Sequence, residues 1–292
     1  MKFALLAGST NYKAVNEKLI KASSKFFTES ITTPFQEVKA VADRKGNAVI
    51  FEDTNLCEFD AVYPRTSTPD IDYAPIIVDM LVDSGVYSPV QPDAISIAKN
   101  KFYTQKVMAE AGLPTPKSVL ITSPRIVESV VKDFEFPVVV KLQQGMAGKG
   151  VMLVSSQNDF APIIDAMAKL NQTVNVEEFV KNPGEDHRLI VVGDEIAASM
   201  KRKAVKEGEF RANITIGGEP KPYKPTQEEI EIALKAANVI GMEICGVDLI
   251  PSENGPVLIE VNDGPSFKGI STVTDVDLYT KVMGYIHKQA KA

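Results

Sequence analysis

The chain has 292 residues, more than a single hydrophobic core usually organises, so two or three compact units are expected. A composition of 44% hydrophobic and 24% charged residues is that of an ordinary soluble globular protein, and a net charge of −6 gives no general attraction to nucleic acid or anionic lipid. With only two histidines, His187 and His287, and two cysteines, Cys57 and Cys245, a His/Cys zinc site is excluded in practice, and any metal has to be held by oxygens.

No apolar run approaches the roughly 18 residues of a membrane span, and the start MKFALLAGSTNYK turns polar too soon for a signal peptide. The expected location is the cytoplasm, with two buried, unlinked thiols.

Up to about residue 95, strand-like runs (KFALLAG, NAVIFED, FDAVYPR) alternate with helix-like ones (VNEKLIKASSKFF, YAPIIVDMLVDSG), which predicts an α/β unit with a parallel sheet. The stretch SPVQPDAIS reads as the linker that closes it. In NKFYTQKVMAEAGLPTP, Asn100 is placed to cap a helix that Gly112 and Pro114 stop. SVLIT, PVVVKL, VMLVSS and NVEEFV read as strands, with helices in SPRIVESVVKDF and NDFAPIIDAMAKLN. From about Pro183 a third part begins, with a hairpin in RLIVVGDEIAASMKRKA turning at Gly193 and Asp194. It continues with a helix in TQEEIEIALKAANVIG, opened by a capping box of Thr226 and Glu229 and closed by Gly241.

The chemistry is concentrated in a few places. CGVDLIPSENGPVLIEVND reads as a hairpin, and symmetry about Asn254 sets Asp248 opposite Glu260. Like charges directly paired across two strands destabilise a sheet, so a cation is expected between them. Asn262, one step along the same face, adds a neutral oxygen, completing a set suited to Mg²⁺ or Mn²⁺ if a nucleotide supplies the remaining ligands. A solvent-exposed edge with scattered polar residues would give the same pattern.

Lys141 ends an apolar strand and is followed by a loop with Gly145, Gly148 and Gly150 and a further lysine, Lys149, able to wrap phosphate oxygens; an ordinary hairpin turn explains the glycines equally. It is not a P-loop, since G-x-x-x-x-G-K-[ST] is absent and a strand follows. Lys101 stands at a helix start, where a cation is disfavoured unless an anion is bound nearby. Arg188, Arg202 and Arg211, accompanied by Asp186 and Asn213, lie on or beside strands and call for carboxylates or phosphates to grip, although a solvated basic face would also accommodate Arg202. His187 reads as a structural imidazole, and Arg65 as a weaker candidate for an acidic substrate.

In this order the clusters resemble the ATP-grasp superfamily, and most closely its RimK-like group of glutamate ligases and their lysine-biosynthesis relatives, over about residues 95 to 270. The resemblance implies an α/β (α+β) ATP-grasp fold behind an N-terminal α/β pre-ATP-grasp domain: residues 1–95, then 96–180 with the glycine-rich lid, then 181–292 with the metal site. It implies that Lys101, Lys141, Arg211 and Asn213 contact ATP phosphates, that the loop 144–151 closes over them, and that Glu177, Glu178, Phe179 and Val180 form the adenine hinge. Asp186 is similar to the nucleotide-side carboxylate. Asp248, Glu260 and Asn262 match metal ligands, for two Mg²⁺ or Mn²⁺ ions.

By the same resemblance, Arg188 and Arg202 hold a substrate carboxylate, with Lys268 near the substrate and Arg202, Arg211 and Lys141 in the catalytic group. The activity implied is ATP-dependent ligation, through an acyl phosphate, of an amino acid, L-glutamate first, to a small-molecule or protein carboxylate acceptor, in a homodimer or homotetramer. The segment DGPSFKGI after Asn262 departs from the family pattern, which leaves the acceptor open. A small-molecule kinase and an ATP-binding regulatory protein are the rival readings.

Overall fold

The structure, a computed structural model, describes residues 1–8, 13–44, 46–143, 150–182, 184–205, 209–214 and 217–292. Strand β1 (Lys2–Ala7) and helix α1 (Lys13–Ser23) are followed by β2 (Glu29–Pro34), β3 (Val38–Asp43), β4 (Gly46–Phe51), β5 (Thr54–Asn55), β6 (Ala61–Arg65) and α2 (Ala74–Asp83). The parallel sheet is present, in the order β2-β1-β6, but NAVIF is not in it. It pairs with β3 and β5 in a separate antiparallel sheet. Only two residues of sequence separate β3 from β4, a connection that can join only antiparallel neighbours, whereas a parallel partner requires a long crossover.

The expected linker is also a helix. In α3 (Pro92–Lys99), Pro92 occupies the first turn, where its missing N–H leaves no hydrogen bond unmade, and Ala94 and Ile95 are buried. Gln91 N donates to Gly241 O (3.0 Å) and Glu243 N to Pro89 O (2.8 Å), so this segment is fastened to residues of the third part. Helix α4 (Lys101–Glu110) starts at Asn100, whose Oδ1 accepts from Tyr103 N at 3.0 Å.

The middle of the chain contains β7 (Ser118–Ile121), α5 (Val127–Lys132), β8 (Val138–Leu142), β9 (Val151–Val154), α6 (Gln157–Lys169) and β10 (Val174–Glu178), with sheet order β7-β10-β8-β9. After it come β11 (Glu185–Val192), β12 (Glu195–Lys203), β13 (Glu219–Pro222), α7 (Gln227–Ile240), β14 (Ile244–Ser252), β15 (Gly255–Asn262) and α8 (Leu278–Gln289). Their five strands run β13-β12-β11-β14-β15, all antiparallel. The middle sheet has its own core around Val140, Phe160 and Val176, while one continuous core joins Phe3 and Tyr63 to Val247 and Met283. Cys57 and Cys245 are free thiols, the second buried as expected and the first only partly so.

The capping box of α7 is complete: Glu229 N donates to Thr226 Oγ1 (3.2 Å) and Thr226 N to Glu229 Oε2 (2.7 Å). Glu229 does more, because its other oxygen lies 2.5 Å from His187 Nδ1 and Tyr223 OH donates to Oε2 at 2.7 Å. His187 is buried and stacked on Tyr223 with ring centroids 3.9 Å apart, so it binds the helix to the back of the sheet. Burial alone would raise the Glu229 pKa, but these hydrogen bonds outweigh it and push it down from 4.5 to about 2. A carboxyl whose pKa is depressed by folding stabilises the fold above its unfolded value and loses that contribution as pH falls through the folded one. Acid titration of thermal stability should therefore show a loss of about 3 kcal/mol between pH 4.5 and 2 that Glu229→Gln abolishes.

Candidate functional site

A cleft opens between the middle sheet and the five-stranded sheet, and Lys101, Lys141, Arg202, Arg211, Asp248 and Glu260 all reach it from different segments. On the five-stranded sheet the register brings Arg188 opposite Asp248 and Asp248 opposite Glu260, on β11, β14 and β15. The expected pairing of Asp248 with Glu260 is therefore observed, although not by the assumed symmetry. The turn is the two residues Glu253 and Asn254, which alone would bring Asp248 opposite Ile259. A register shift beside Leu249 corrects this, and Leu249 pairs with Leu258, leaving Ile259 as the extra residue. Gln105 Nε2 donates to Ile259 O at 2.9 Å.

The positive charge beside Asp248 is supplied first by arginine. Arg188 donates to both Asp248 oxygens (2.7 and 2.6 Å), and Arg202 Nη2 approaches Oδ2 at 3.0 Å. Arg202 also grips Asp186 bidentately (2.5 and 2.7 Å). The guanidinium groups thus face carboxylates of their own sheet through Nε and Nη2. Burial of Asp248 acts to raise its pKa, but the two arginines win and hold it below the ordinary carboxylate range. For Asp186 burial prevails over Arg202 and the shift is upward.

A divalent cation fits this donor set. Asp248 and Glu260 are cross-strand neighbours, and Asn262 lies two residues beyond Glu260 on the same strand. Its buried amide nitrogen has no hydrogen-bond partner, so no bond at that atom holds the amide in one orientation. Among the described residues no three His, Cys, Asp or Glu side chains converge closely enough for a metal cage. Two carboxylates and an amide would thus hold a cation whose remaining ligands are water and phosphate, as is usual for Mg²⁺.

On the facing wall, Lys141 projects from β8, nearly buried at 9% exposure, and donates to Glu177 Oε2 at 2.5 Å. Asn175 Nδ2 donates to the other Glu177 oxygen at 2.8 Å. The Glu177 side chain is therefore a buried partner of Lys141, a role not read from the sequence, where Glu177 was expected only as part of the adenine hinge. Beyond it, Glu178, Phe179 and Val180 line the cleft, and Val139, Ile250 and Ile259 give it apolar walls. Lys101 lies at the first turn of α4, where its Nζ approaches Gln143 O at 3.4 Å. Burial lowers its pKa, with Lys141 adding to the effect and Glu260 opposing it.

Arg211 and Asn213 also line the cleft. Arg211 Nε and Nη2 each donate to Glu209 at 2.8 Å, and Nη1 reaches Val151 O of β9 at 3.5 Å. This segment needs Gly218: Gly218 N donates to Asn213 O at 3.0 Å, and a Cβ at 218 would lie 2.0 Å from Ala212 O. Because the obstacle is backbone, Gly218→Ala should displace Arg211 and Asn213, costing about 1 to 3 kcal/mol of stability and most of the activity. Thermal unfolding and steady-state rates check both parts.

The structure departs from the remaining expectations in several places. Lys268 is exposed and outside the cleft, because Pro265 and Phe267 turn inward and leave it outside. Arg188 touches the site only through Asp248. Arg65, 1% exposed, donates from Nε to Asn16 Oδ1 (3.0 Å) and from Nη2 to Pro265 O (3.1 Å), so it fastens the loop after β15 rather than a substrate. Gly150 adopts φ 75° and accepts from Leu142 N at 2.9 Å, while Gly145, Gly148 and Lys149 lie outside the described residues.

Comparison with known proteins agrees with this architecture. A family model described as a RimK-like ATP-grasp domain matches residues 98–286. A Legionella pneumophila (strain Corby) protein named "Probable alpha-L-glutamate ligase" is 34% identical over 295 residues, covering 100% of this chain and 97% of its own. Among solved structures, a RimK domain ATP-grasp protein from Sphaerobacter thermophilus superposes with a TM-score of 0.74 at 18% identity, covering 98% of this chain and 99% of the other. The ATP-grasp ligase PsnB, complexed with minimal precursor, Mg and ADP, gives 0.74 at 16% identity over 100% of this chain and 98% of the other.

Proposed function

Because the chain belongs to the RimK-like ATP-grasp family, we propose that its cleft joins L-glutamate to a carboxylate acceptor, with ATP converted to ADP and phosphate. The protein is an ATP-dependent carboxylate–amine ligase, and ATP and Mg²⁺ are its general requirements. The observation that carries the reading is the convergence of two lysines, two arginines and the Asp248–Glu260 pair on one cleft with apolar walls.

In this reading Val139, Ile250 and Ile259 enclose the base, and the backbone of Glu178 to Val180 meets its polar edge. Asp186 faces the sugar, and Lys101, Lys141, Arg211 and Asn213 hold the phosphates. The acceptor carboxylate oxygen attacks the γ-phosphorus and ADP leaves. The amine nitrogen then attacks the acyl carbon, the phosphate leaves, and the amine gives up a proton. A bound Mg²⁺ at Asp248, Glu260 and Asn262 would neutralise phosphate charge. Lys141 and Arg211 stabilise charge on the transferring group without a covalent nucleophile, consistent with phosphoryl transfer governed by positioning and electrostatics. Arg202, which lines the cleft while its Nε and Nη2 grip Asp186, is the group that meets an acidic substrate, and Arg188 supports the site from behind through Asp248.

The same proposal includes the division at 1–95, 96–180 and 181–292, Mn²⁺ acting in place of Mg²⁺, a second ion, a homodimer or homotetramer, and a cytoplasmic location. Among the described residues, no helix is long and apolar enough to cross a membrane. The test is ADP release with Mg²⁺, ATP, single amino acids and a panel of carboxylate acceptors. Release that requires both an acceptor and L-glutamate, with the acceptor gaining one glutamyl residue by mass, is the expected result. ADP formation with acceptor alone and a stable phosphorylated product would replace the ligase with a kinase.

A further inference from the structure

Asp263 follows the metal-side Asn262 directly, yet it is turned away from the cleft and is only 1% exposed. Lys99 Nζ donates to its Oδ1 at 2.5 Å and to Thr66 O at 3.1 Å, and Thr66 Oγ1 donates to its Oδ2. The next two residues are held as well, since Arg65 Nη2 reaches Gly264 O at 3.4 Å and Pro265 O at 3.1 Å. Thus the end of β6 and the last residue of α3 grip the loop that follows β15.

A buried ion pair with a third hydrogen-bond donor contributes little net stability, but it fixes geometry strongly. The geometry fixed here is that of the cleft. Lys99 precedes Lys101 by two residues, with only the helix cap Asn100 between them. Asp263 lies one peptide beyond Asn262, whose buried amide nitrogen has no hydrogen-bond partner among the described residues, so the position of the backbone contributes to aiming it. The Lys99–Asp263 contact therefore joins the strand carrying Glu260 and Asn262 to the turn carrying Lys101, across 164 residues of sequence, alongside the bond from Gln105 Nε2 to Ile259 O at 2.9 Å.

We infer that Lys99 and Asp263 are a positioning pair that sets the separation between the metal-binding side chains of β15 and the phosphate-binding Lys101. Neither touches substrate. The inference rests on the proposed metal site and adds that the end of the N-terminal parallel sheet, through Thr66, helps set metal affinity. Groups that orient metal ligands from behind typically alter affinity by about 10- to 100-fold when removed.

The experiment measures free Mn²⁺ by electron paramagnetic resonance as it is titrated into the full-length protein with ADP, for wild type, Lys99→Met, Asp263→Asn, the double variant and Thr66→Val. Thermal unfolding is followed in parallel. About tenfold weaker Mn²⁺ binding is expected in either charge variant. The double variant should be no weaker than the singles, because both remove one contact. Thr66→Val leaves no buried charge unpaired, and should weaken Mn²⁺ several-fold with little change in melting, which covers the case in which Asp263→Asn does not fold. Folded variants that bind Mn²⁺ within twofold of wild type would overturn the inference and leave the metal site standing. Wild type that binds no Mn²⁺ with ADP would overturn the metal site itself, and the positioning role with it.

Discussion

Replacing Lys141 by methionine should lower kcat/KM for ATP by about 10³-fold or more, equivalent to roughly 4 kcal/mol of transition-state stabilisation. The residue is nearly buried on β8, and methionine has a similar length and apolar stem, so the packing of the strand survives. What is lost is the one positive charge that this strand directs into the cleft. The variant also leaves Glu177, 2% exposed, with Asn175 as its remaining partner, and an uncompensated buried carboxylate is destabilising by about 3 kcal/mol or more. The two effects can be separated. Lys141→Met with Glu177→Gln removes the stranded charge, so thermal stability should recover while turnover does not. If turnover returned with stability, Lys141 would be a structural lysine and its assignment to the phosphates would fall.

Glu260 and Asn262, the proposed metal ligands of β15, were legible in the sequence because they break a rule visible in one dimension: a carboxylate and an amide interrupt an apolar strand at period two. The helices were legible where their ends carry local signals, as with Asn100 and the Thr226–Glu229 box, since capping bonds span three residues. What could not be read was which charge answers which. Arg188 and Asp248 are 60 residues apart, Lys141 and Glu177 36, and Lys99 and Asp263 164, and no periodicity links them. Pairing across sheets is set by register and by which faces meet, and a one-residue bulge at Ile259 was enough to change the route to the correct pairing. The same locality explains the misread linker, because a proline such as Pro92 can either interrupt a chain or begin a helix, and the packing of Ala94 and Ile95 into the core decides for the helix. The carboxylate in NDGP was in plain view beside Asn262, but only the fold shows that it faces away from the cleft, toward Lys99 and Thr66.

Glu260→Gln is expected to abolish metal-dependent turnover, by about 10³-fold, while preserving the fold. The reason lies in the uneven state of the two cross-strand carboxylates. Asp248 is already gripped by Arg188 and approached by Arg202, so within the five-stranded sheet its charge is answered. Glu260 stands beside it, lining the cleft with Lys101 near enough to feel its charge, which makes it the carboxylate with more to gain from a divalent cation. Glutamine keeps the size and an oxygen donor but removes the charge, and a hard cation with few protein ligands depends on that charge for affinity. Removing one of two like charges on neighbouring strands relieves repulsion, so the melting temperature should hold or rise slightly. Mn²⁺ titration in the presence of ADP should show weakened metal binding in the same variant. A Glu260→Gln or Glu260→Ala protein that turns over at the wild-type rate would remove Glu260 from the metal set, leaving Asp248 answered by arginines alone and the β15 carboxylate without a chemical role.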